Sequence, residues 1–136
     1  MLNSQDELTR LIINKTRDIE EVEKIVGPVA GARYKARIKK IYKGRYGDLV
    51  DYEKIRREEA KERFKEMKDR MAYKVVFEIP DLGIEADNVL LQSSKPGSAL
   101  QQLLACYNGV ISVGMEVWVE YTGKYYKLSC PPEEGE

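Results

Sequence analysis

Between Gly31 and Lys43 the chain alternates with a period of two, and the alternation slips once. Arg33, Lys35, Arg37 and Lys39 fall on one face, and Tyr34, Ala36 and Ile38 on the other. This is the pattern of a half-buried strand. Ile41 then follows Ile38 by three residues instead of two. A bulge at Lys39-Lys40 absorbs such a slip, and a bulge bends the strand that carries it. Gly44 and Gly47 bracket a turn that holds Arg45 and Tyr46. The first strand therefore has to curve, and a curved first strand limits the sheets it can enter.

The elements around it follow from their own periodicities. Ser4 and Glu7 make a capping box, and Leu8, Leu11, Ile12, Ile19, Val22 and Val26 recur at helical spacing. A helix is expected over 5–26, with a possible break near Asp18 and a stop at Gly27-Pro28. In residues 51–72, 15 of 22 side chains are charged. Ala60, Phe64, Met67 and Met71 leave one narrow apolar stripe, so a second helix is expected there, mostly wet. The pairs Glu53/Arg57, Glu59/Arg63 and Glu66/Arg70 support it at i,i+4 spacing. Tyr73–Ile79 and Ile84–Leu91 read as strands joined by the turn Pro80-Asp81-Leu82-Gly83. Ser98 caps a short helix with Leu100, Leu103, Leu104 and Tyr107, ending at Asn108-Gly109. Val110–Val113 is a short apolar run. Met115–Tyr121 alternates, with Glu116, Trp118 and Glu120 on its polar side, and Tyr125–Leu128 is the last strand.

With the charged helix set aside, five strands remain, and a short helix lies between the third and fourth. In element order and in its bent first strand, the segment 31–129 resembles an OB-fold, a small Greek-key barrel that binds oligonucleotides or oligosaccharides. No residue motif of a particular family accompanies that order. The expected class is α+β: a five-stranded antiparallel OB-like barrel or curled sheet, with an N-terminal amphipathic helix and a charged helical insertion after the first strand. A different antiparallel α+β sheet of four or five strands is the alternative. The expected domains are an N-terminal helical segment over 1–30, the β domain over 31–129 with its insertion at 51–72, and an acidic tail over 130–136.

Composition narrows the chemistry. The chain has no histidine, which removes the commonest general base and zinc ligand. Cys106 and Cys130 stand 24 residues apart with no CxxC pair, so a cysteine-based zinc site is excluded and a disulfide framework is not expected. Cys106, in an apolar helix, reads as a small core residue. Heavy Glu, Lys and Arg use against four Gln and four Asn leans towards a thermophile's composition, in which a Cys106–Cys130 disulfide is permitted. There is no P-loop, GxGxxG or GxSxG. The hairpin acids Glu78, Asp81, Glu85 and Asp87 raise a metal-dependent nuclease reading, since carboxylates hold magnesium against phosphate. Pro80-Asp81 opens such a pattern, but the acidic-x-Lys that should follow is missing. The expectation is a non-enzymatic protein with no metal or cofactor. No apolar run is long enough to span a membrane, and the first residues do not read as a signal peptide, so a cytoplasmic location is expected.

What remains is charge. The net charge is zero, from 23 basic and 23 acidic side chains, yet residues 31–50 hold seven cations and only Asp48. A single-sign field of this kind points to an anionic partner. Arg33, Lys35, Arg37, Lys39, Lys40, Lys43 and Arg45 are candidates for phosphate contacts. Tyr42, Tyr46, Trp118 and Tyr125 are candidates for stacking bases. Single-stranded DNA or RNA needs both. Trp118 can equally pack beneath a helix, and Glu116 and Glu120 beside it would repel phosphate. The alternative is a protein-interaction or assembly module, a homo-oligomer held through helix 5–26 or 51–72.

Overall fold

The slip in the alternation is where the sheet acquires its curvature. The computed structural model describes residues 19–133. In it β1 (Arg33–Arg45) runs for 13 residues and serves two antiparallel neighbours in turn. Its first half pairs with β4 (Glu116–Tyr121) from Arg33↔Glu120 to Arg37↔Glu116. Its second half pairs with β2 (Met71–Ile79) from Arg37↔Glu78 to Arg45↔Met71. The register steps from Ile38↔Phe77 to Lys40↔Val76, so Lys39 is the extra residue of the bulge. Arg37 is the only residue of β1 paired on both sides. One strand can reach two partners in this way because the bulge turns it between them.

β3 (Ile84–Leu91) folds back on β2 through the turn at Pro80–Gly83, in which Gly83 takes φ 63°. That left-handed conformation suits glycine. β5 (Tyr126–Ser129) folds back on β4. The order is β3-β2-β1-β4-β5, all antiparallel. The two outer strands approach each other, and the Leu128 N–H donates to Asn88 Oδ1 at 3.0 Å. The result is a five-stranded, nearly closed, barrel-like sheet, consistent with an OB-like α+β fold. Closure of this kind covers the edges that an open sheet would leave for aggregation.

Alternate residues fill the interior. Ile38, Phe77, Ile79, Val117 and Val119 are essentially inaccessible to water, and Ala36, Val75 and Leu128 join them. Each aliphatic or aromatic side chain of this size contributes about 1.5–3 kcal/mol by leaving water. The connection from β3 to β4 carries a helix, Ala99–Cys106, whose Leu100 and Leu103 are buried; Leu103 belongs to the core cluster. Ser98 caps it, its Oγ accepting from the Gln101 N–H at 3.3 Å. Tyr107, just past its end, donates its hydroxyl to the Ser129 carbonyl at 2.6 Å and accepts from the Trp118 N–H at 2.9 Å. Burial pushes this phenol's pKa up, while the bond from Trp118 pulls it the other way.

Three expectations need correction. The helix expected over 5–26 lies largely outside the described residues, and the part within them, 19–26, is not helical. The helix expected over 51–72 is broken and shorter. Between β1 and β2 the chain forms α1 (Tyr46–Leu49), a single 3₁₀ turn (Tyr52–Lys54) and α2 (Glu58–Met67), with the earlier Ala99–Cys106 segment being α3. Asp51 starts the 3₁₀ turn by accepting from the Glu53 N–H at 3.1 Å, and Met71 belongs to β2 because the β1–β2 ladder runs on to Arg45↔Met71. Tyr52 and Tyr46 both pack on Phe64, with ring centroids 5.0 and 6.1 Å apart, so the insertion has a small aromatic core of its own. Its ends meet where Tyr46 and Gly47 N–H donate to the carbonyls of Arg70 and Lys68 at 2.8 and 2.9 Å. A Cβ on Gly47 would sit 3.1 Å from the Lys68 carbonyl oxygen, a tight contact that glycine relieves. Cys106, finally, is exposed and not core: it forms a disulfide with Cys130, Cα atoms 5.5 Å apart.

Candidate functional site

The structure divides the basic block of β1 into two groups at Lys39. Ahead of the bulge, Arg33, Lys35 and Arg37 face outward, as the alternation predicts. The neighbouring strands answer them with carboxylates. Arg33 Nε lies 4.0 Å from Glu120, Lys35 Nζ 3.4 Å from Glu116, and Lys39 Nζ 3.4 Å from Glu78. Glu120 also receives Lys127 Nζ at 3.3 Å and is the least exposed of the three acids. Arg37 stands in register between Glu78 and Glu116. Cations and acids therefore alternate across this face, three carboxylates answering five cations, and Arg37 itself makes no ion pair within 4.0 Å among the described residues.

Trp118 shares the face. It pairs with Lys35 across the ladder, and Lys35 Nζ lies 5.7 Å from the centre of its ring. It is half-buried, flanked by Glu116 and Glu120. An ammonium over an indole face is attracted by the ring's quadrupole. Tyr125 sits in the β4–β5 turn, which Thr122 Oγ1 orders by accepting the N–H groups of Lys124 and Tyr125 at 3.3 and 3.2 Å. Its ring is 52% exposed and, with Arg33, Glu120 and Lys127, lines a hollow along the seam between β3 and β5.

Beyond the bulge the surroundings change. Lys40 lies opposite Val76, Tyr42 opposite Lys74, and Lys43 opposite Tyr73. Among the described residues no carboxylate comes within 4.0 Å of Lys40, Lys43, Arg45 or Lys74. Tyr42 is 46% exposed and stands between Lys40 and Lys43 in the chain, next to Lys74 on β2. Lys43 turns to the other side of the strand, its Nζ 5.7 Å from the centre of the Tyr73 ring. Tyr46 is not with them. Its ring is engaged by Phe64 in the insertion.

The structure thus sets Lys40, Tyr42, Lys43 and Arg45 along the half of β1 beyond the bulge, Lys40 and Tyr42 on its outer side and Lys43 on the other. It places Arg33, Lys35, Arg37, Lys39, Trp118 and Tyr125 in a separate, acid-laced region. Lys74 joins Tyr42 across the β1–β2 ladder, and Arg70 and Lys95 line a hollow beside Tyr73. The alternation of Lys74, Val76 and Glu78 in the second strand was a readable signal for Lys74; Arg70 and Lys95 carried none. The hairpin acids do not converge. Glu78 pairs with Glu85 across the ladder and is neutralised by Lys39, while Asp81 belongs to the turn. Among the described residues no three acidic or cysteine side chains gather closely enough to hold a metal ion. Among the same residues no helix is long and apolar enough to cross a membrane. Comparison of the chain with protein-family models, with curated proteins and with solved structures finds no match.

Proposed function

We propose that this domain is a non-enzymatic binder of single-stranded DNA or RNA, and that it binds through the second half of β1. One observation carries the reading. Lys40 and Lys74 stand beside the exposed Tyr42, Lys43 and Arg45 follow on the same strand, and none of these cations has a neutralising carboxylate among the described residues. Unpaired cations release counterions when they meet phosphate, and an exposed ring offers a base about 1–3 kcal/mol of stacking. Paired cations must first break an internal contact, so the first half of the strand gains less. The OB-like barrel supports the same reading, because such barrels bind oligonucleotides on the face of their second and third strands and on the loop between the first two. Lys74 lies on the second strand, and Arg45 opens that loop.

Fluorescence anisotropy with a labelled oligonucleotide tests this at low and moderate salt. Four phosphate contacts on a single strand give a log–log salt slope of about −3. Lys40→Ala/Lys43→Ala/Arg45→Ala is expected to weaken binding at least tenfold at low salt and to flatten the slope towards about −1. Arg33→Ala/Lys35→Ala/Arg37→Ala is expected to change affinity by less than about twofold, since most of its charge is already answered. Equal losses from the two variants, or no binding by the parent protein at low salt, overturn the proposal.

Assembly is the second reading, and a specific observation favours it. Ile19, Val22, Ile25, Val26 and Val29 all lie exposed in the segment ahead of β1. Five large apolar side chains exposed within eleven residues are more than a segment without a partner is expected to carry. Sedimentation velocity at several concentrations tests it. A monomer throughout rejects it, and a concentration-dependent oligomer abolished by Ile25→Asp supports it.

A further inference from the structure

Two adjoining cavities open at the same end of the barrel, and their chemistry differs from that of the other hollows on the surface. One, of about 300 Å³, is apolar and is lined by Ile41, Val75, Leu90 and Ile111, beneath α3. The other, of about 650 Å³, is walled by Arg70, Ser93, Ser94, Lys95 and Gln101. Tyr73, Leu100 and Leu104 line both, so the two share a wall. Both volumes fall in the range of small-molecule sites, about 300–1,000 Å³. No Asp or Glu lines either one. Three other hollows each carry a carboxylate: Glu120 at the β3–β5 seam, Asp81 and Glu116 beside Lys35, and Glu78 and Glu85 at the β2–β3 hairpin.

The polar cavity is also organised. Gln101 Nε2 donates to the Ser93 carbonyl at 2.8 Å, and Ser93 Oγ accepts from the Lys95 N–H at 3.2 Å. The Gln92 N–H donates to the Met71 carbonyl at 2.9 Å, which fastens this loop to the start of β2. Arg70 and Lys95 are thereby presented from two anchored segments. Among the described residues neither has a carboxylate within 4.0 Å. Behind them Tyr73 offers a ring with Lys43 Nζ 5.7 Å from its centre. The requirements of an occupant follow directly. It must carry an anionic group for Arg70 and Lys95, and a flat, largely apolar body for the Tyr73 wall and the cavity beyond.

From this we infer that the paired cavities bind a nucleotide unit, with the base against Tyr73 and its phosphomonoester between Arg70 and Lys95. The site is distinct from the outer patch of Lys40, Tyr42 and Lys74 and does not depend on it. The same chemistry has two sources, a free nucleotide and the phosphorylated end of a strand.

Amide NMR shifts of the full chain test this with four probes: adenosine 5′-monophosphate, adenosine, inorganic phosphate, and a short oligonucleotide with and without a 5′-phosphate. Saturable shifts at Tyr73, Ser93, Ser94 and Lys95 with the monophosphate, at least about tenfold weaker with adenosine or phosphate alone, support a free nucleotide. Shifts there only with the 5′-phosphorylated oligonucleotide support a strand end. Arg70→Ala/Lys95→Ala, both exposed and compatible with the fold, should abolish the shifts in either case, and Tyr73→Leu, which removes the ring but keeps an apolar side chain, should weaken them about tenfold. Unmoved amides with all probes overturn the inference. So does a response to inorganic phosphate as strong as that to the monophosphate. Binding by the outer patch is read separately, from Tyr42 and Lys74, so either site can fail without the other.

Discussion

The two halves of β1 carry the same kinds of side chain in nearly the same density. Ahead of Lys39 the strand holds three outward cations and pairs with β4, whose outward side chains include Glu116 and Glu120. After Lys39 it holds three more cations and an exposed tyrosine and pairs with β2, where the opposing side chains are Val76, Lys74 and Tyr73. In the first half Arg33 and Lys35 are tied to neighbouring carboxylates and Arg37 stands in register between Glu78 and Glu116, while among the described residues the cations of the second half have no carboxylate within 4.0 Å. A cation's availability is therefore decided by the strand beside it, not by its own strand. Cross-strand and surface ion pairs stabilise by only about 0.2–1 kcal/mol each, so the first half gains little stability from its pairing. The larger effect of the carboxylates is to cancel a field that would otherwise draw any polyanion to that face.

Deleting Lys39 attacks the boundary between the halves and has the largest expected effect. Without the extra residue the ladder with β2 becomes regular, Lys40↔Val76 following directly on Ile38↔Phe77, so the faces are kept but the bend that lets β1 serve two neighbours is lost. Loss of at least about 3 kcal/mol in chemical denaturation is expected, since an unbent strand cannot hold both partners and core side chains such as Ile38 and Val117 lose their packing. Retention of full stability would mean that the bulge does not set the curvature.

Removing the disulfide probes the first half alone. It closes a loop that contains all of β4 and β5. By loop-closure entropy, Cys106→Ser with Cys130→Ser lowers stability by about 3–4 kcal/mol. In hydrogen exchange, amides of Arg33–Arg37 and β4 should lose more protection than those of Tyr42–Arg45 and β2. Uniform loss would show that the halves do not open separately.

Tyr107→Phe comes next. It leaves the Trp118 N–H and the Ser129 carbonyl without their partner, at a cost of about 1–3 kcal/mol. Tryptophan fluorescence should shift while oligonucleotide binding by the second half stays unchanged. The pH dependence has a fixed sign. Burial raises this phenol's pKa in the folded chain, so its contribution is complete below the unfolded value near 10 and is lost as pH rises through the folded value. Denaturation curves of the parent should weaken above that pH more steeply than those of the phenylalanine variant.

The smallest effect on stability should come from Glu78→Gln/Glu116→Gln/Glu120→Gln, within about 1 kcal/mol. It converts the first half into a likeness of the second. Oligonucleotide affinity should rise a few-fold and the salt slope steepen. An unchanged affinity would indicate that Trp118 or its surroundings, and not charge, closes this face.

Much of this architecture could be read from residue order. Period-two alternation and turn residues located the strands to within a residue or two, and the Ile38–Ile41 spacing located the bulge, because both are local properties of the chain. The ion pairs were not legible in this way. Glu120 meets Arg33, and Glu78 meets Lys39, only through registers set by the closing sheet. The insertion misled for a related reason: Tyr52 is drawn onto Phe64, and Met71 is claimed by the ladder with Arg45, so tertiary contacts override a stripe that looks helical. Cys106 carried no sign of its exposure, since its partner comes 24 residues later. For the candidate site, the residues past the bulge were named together with those before it, and only the opposing strands separate them.

The neck of the insertion has an engineering consequence. Arg45 and Met71 are already ladder partners, and the chain between them leaves and returns through the contacts of Tyr46 with Arg70 and Gly47 with Lys68. The excursion over 46–70 is therefore a cassette clipped to the end of a hairpin that is complete without it. A tight two-residue connector of the Asn-Gly kind matches the twist of such a hairpin. The same stem can accept a foreign loop, a reporter or nothing, with the barrel's pairing undisturbed.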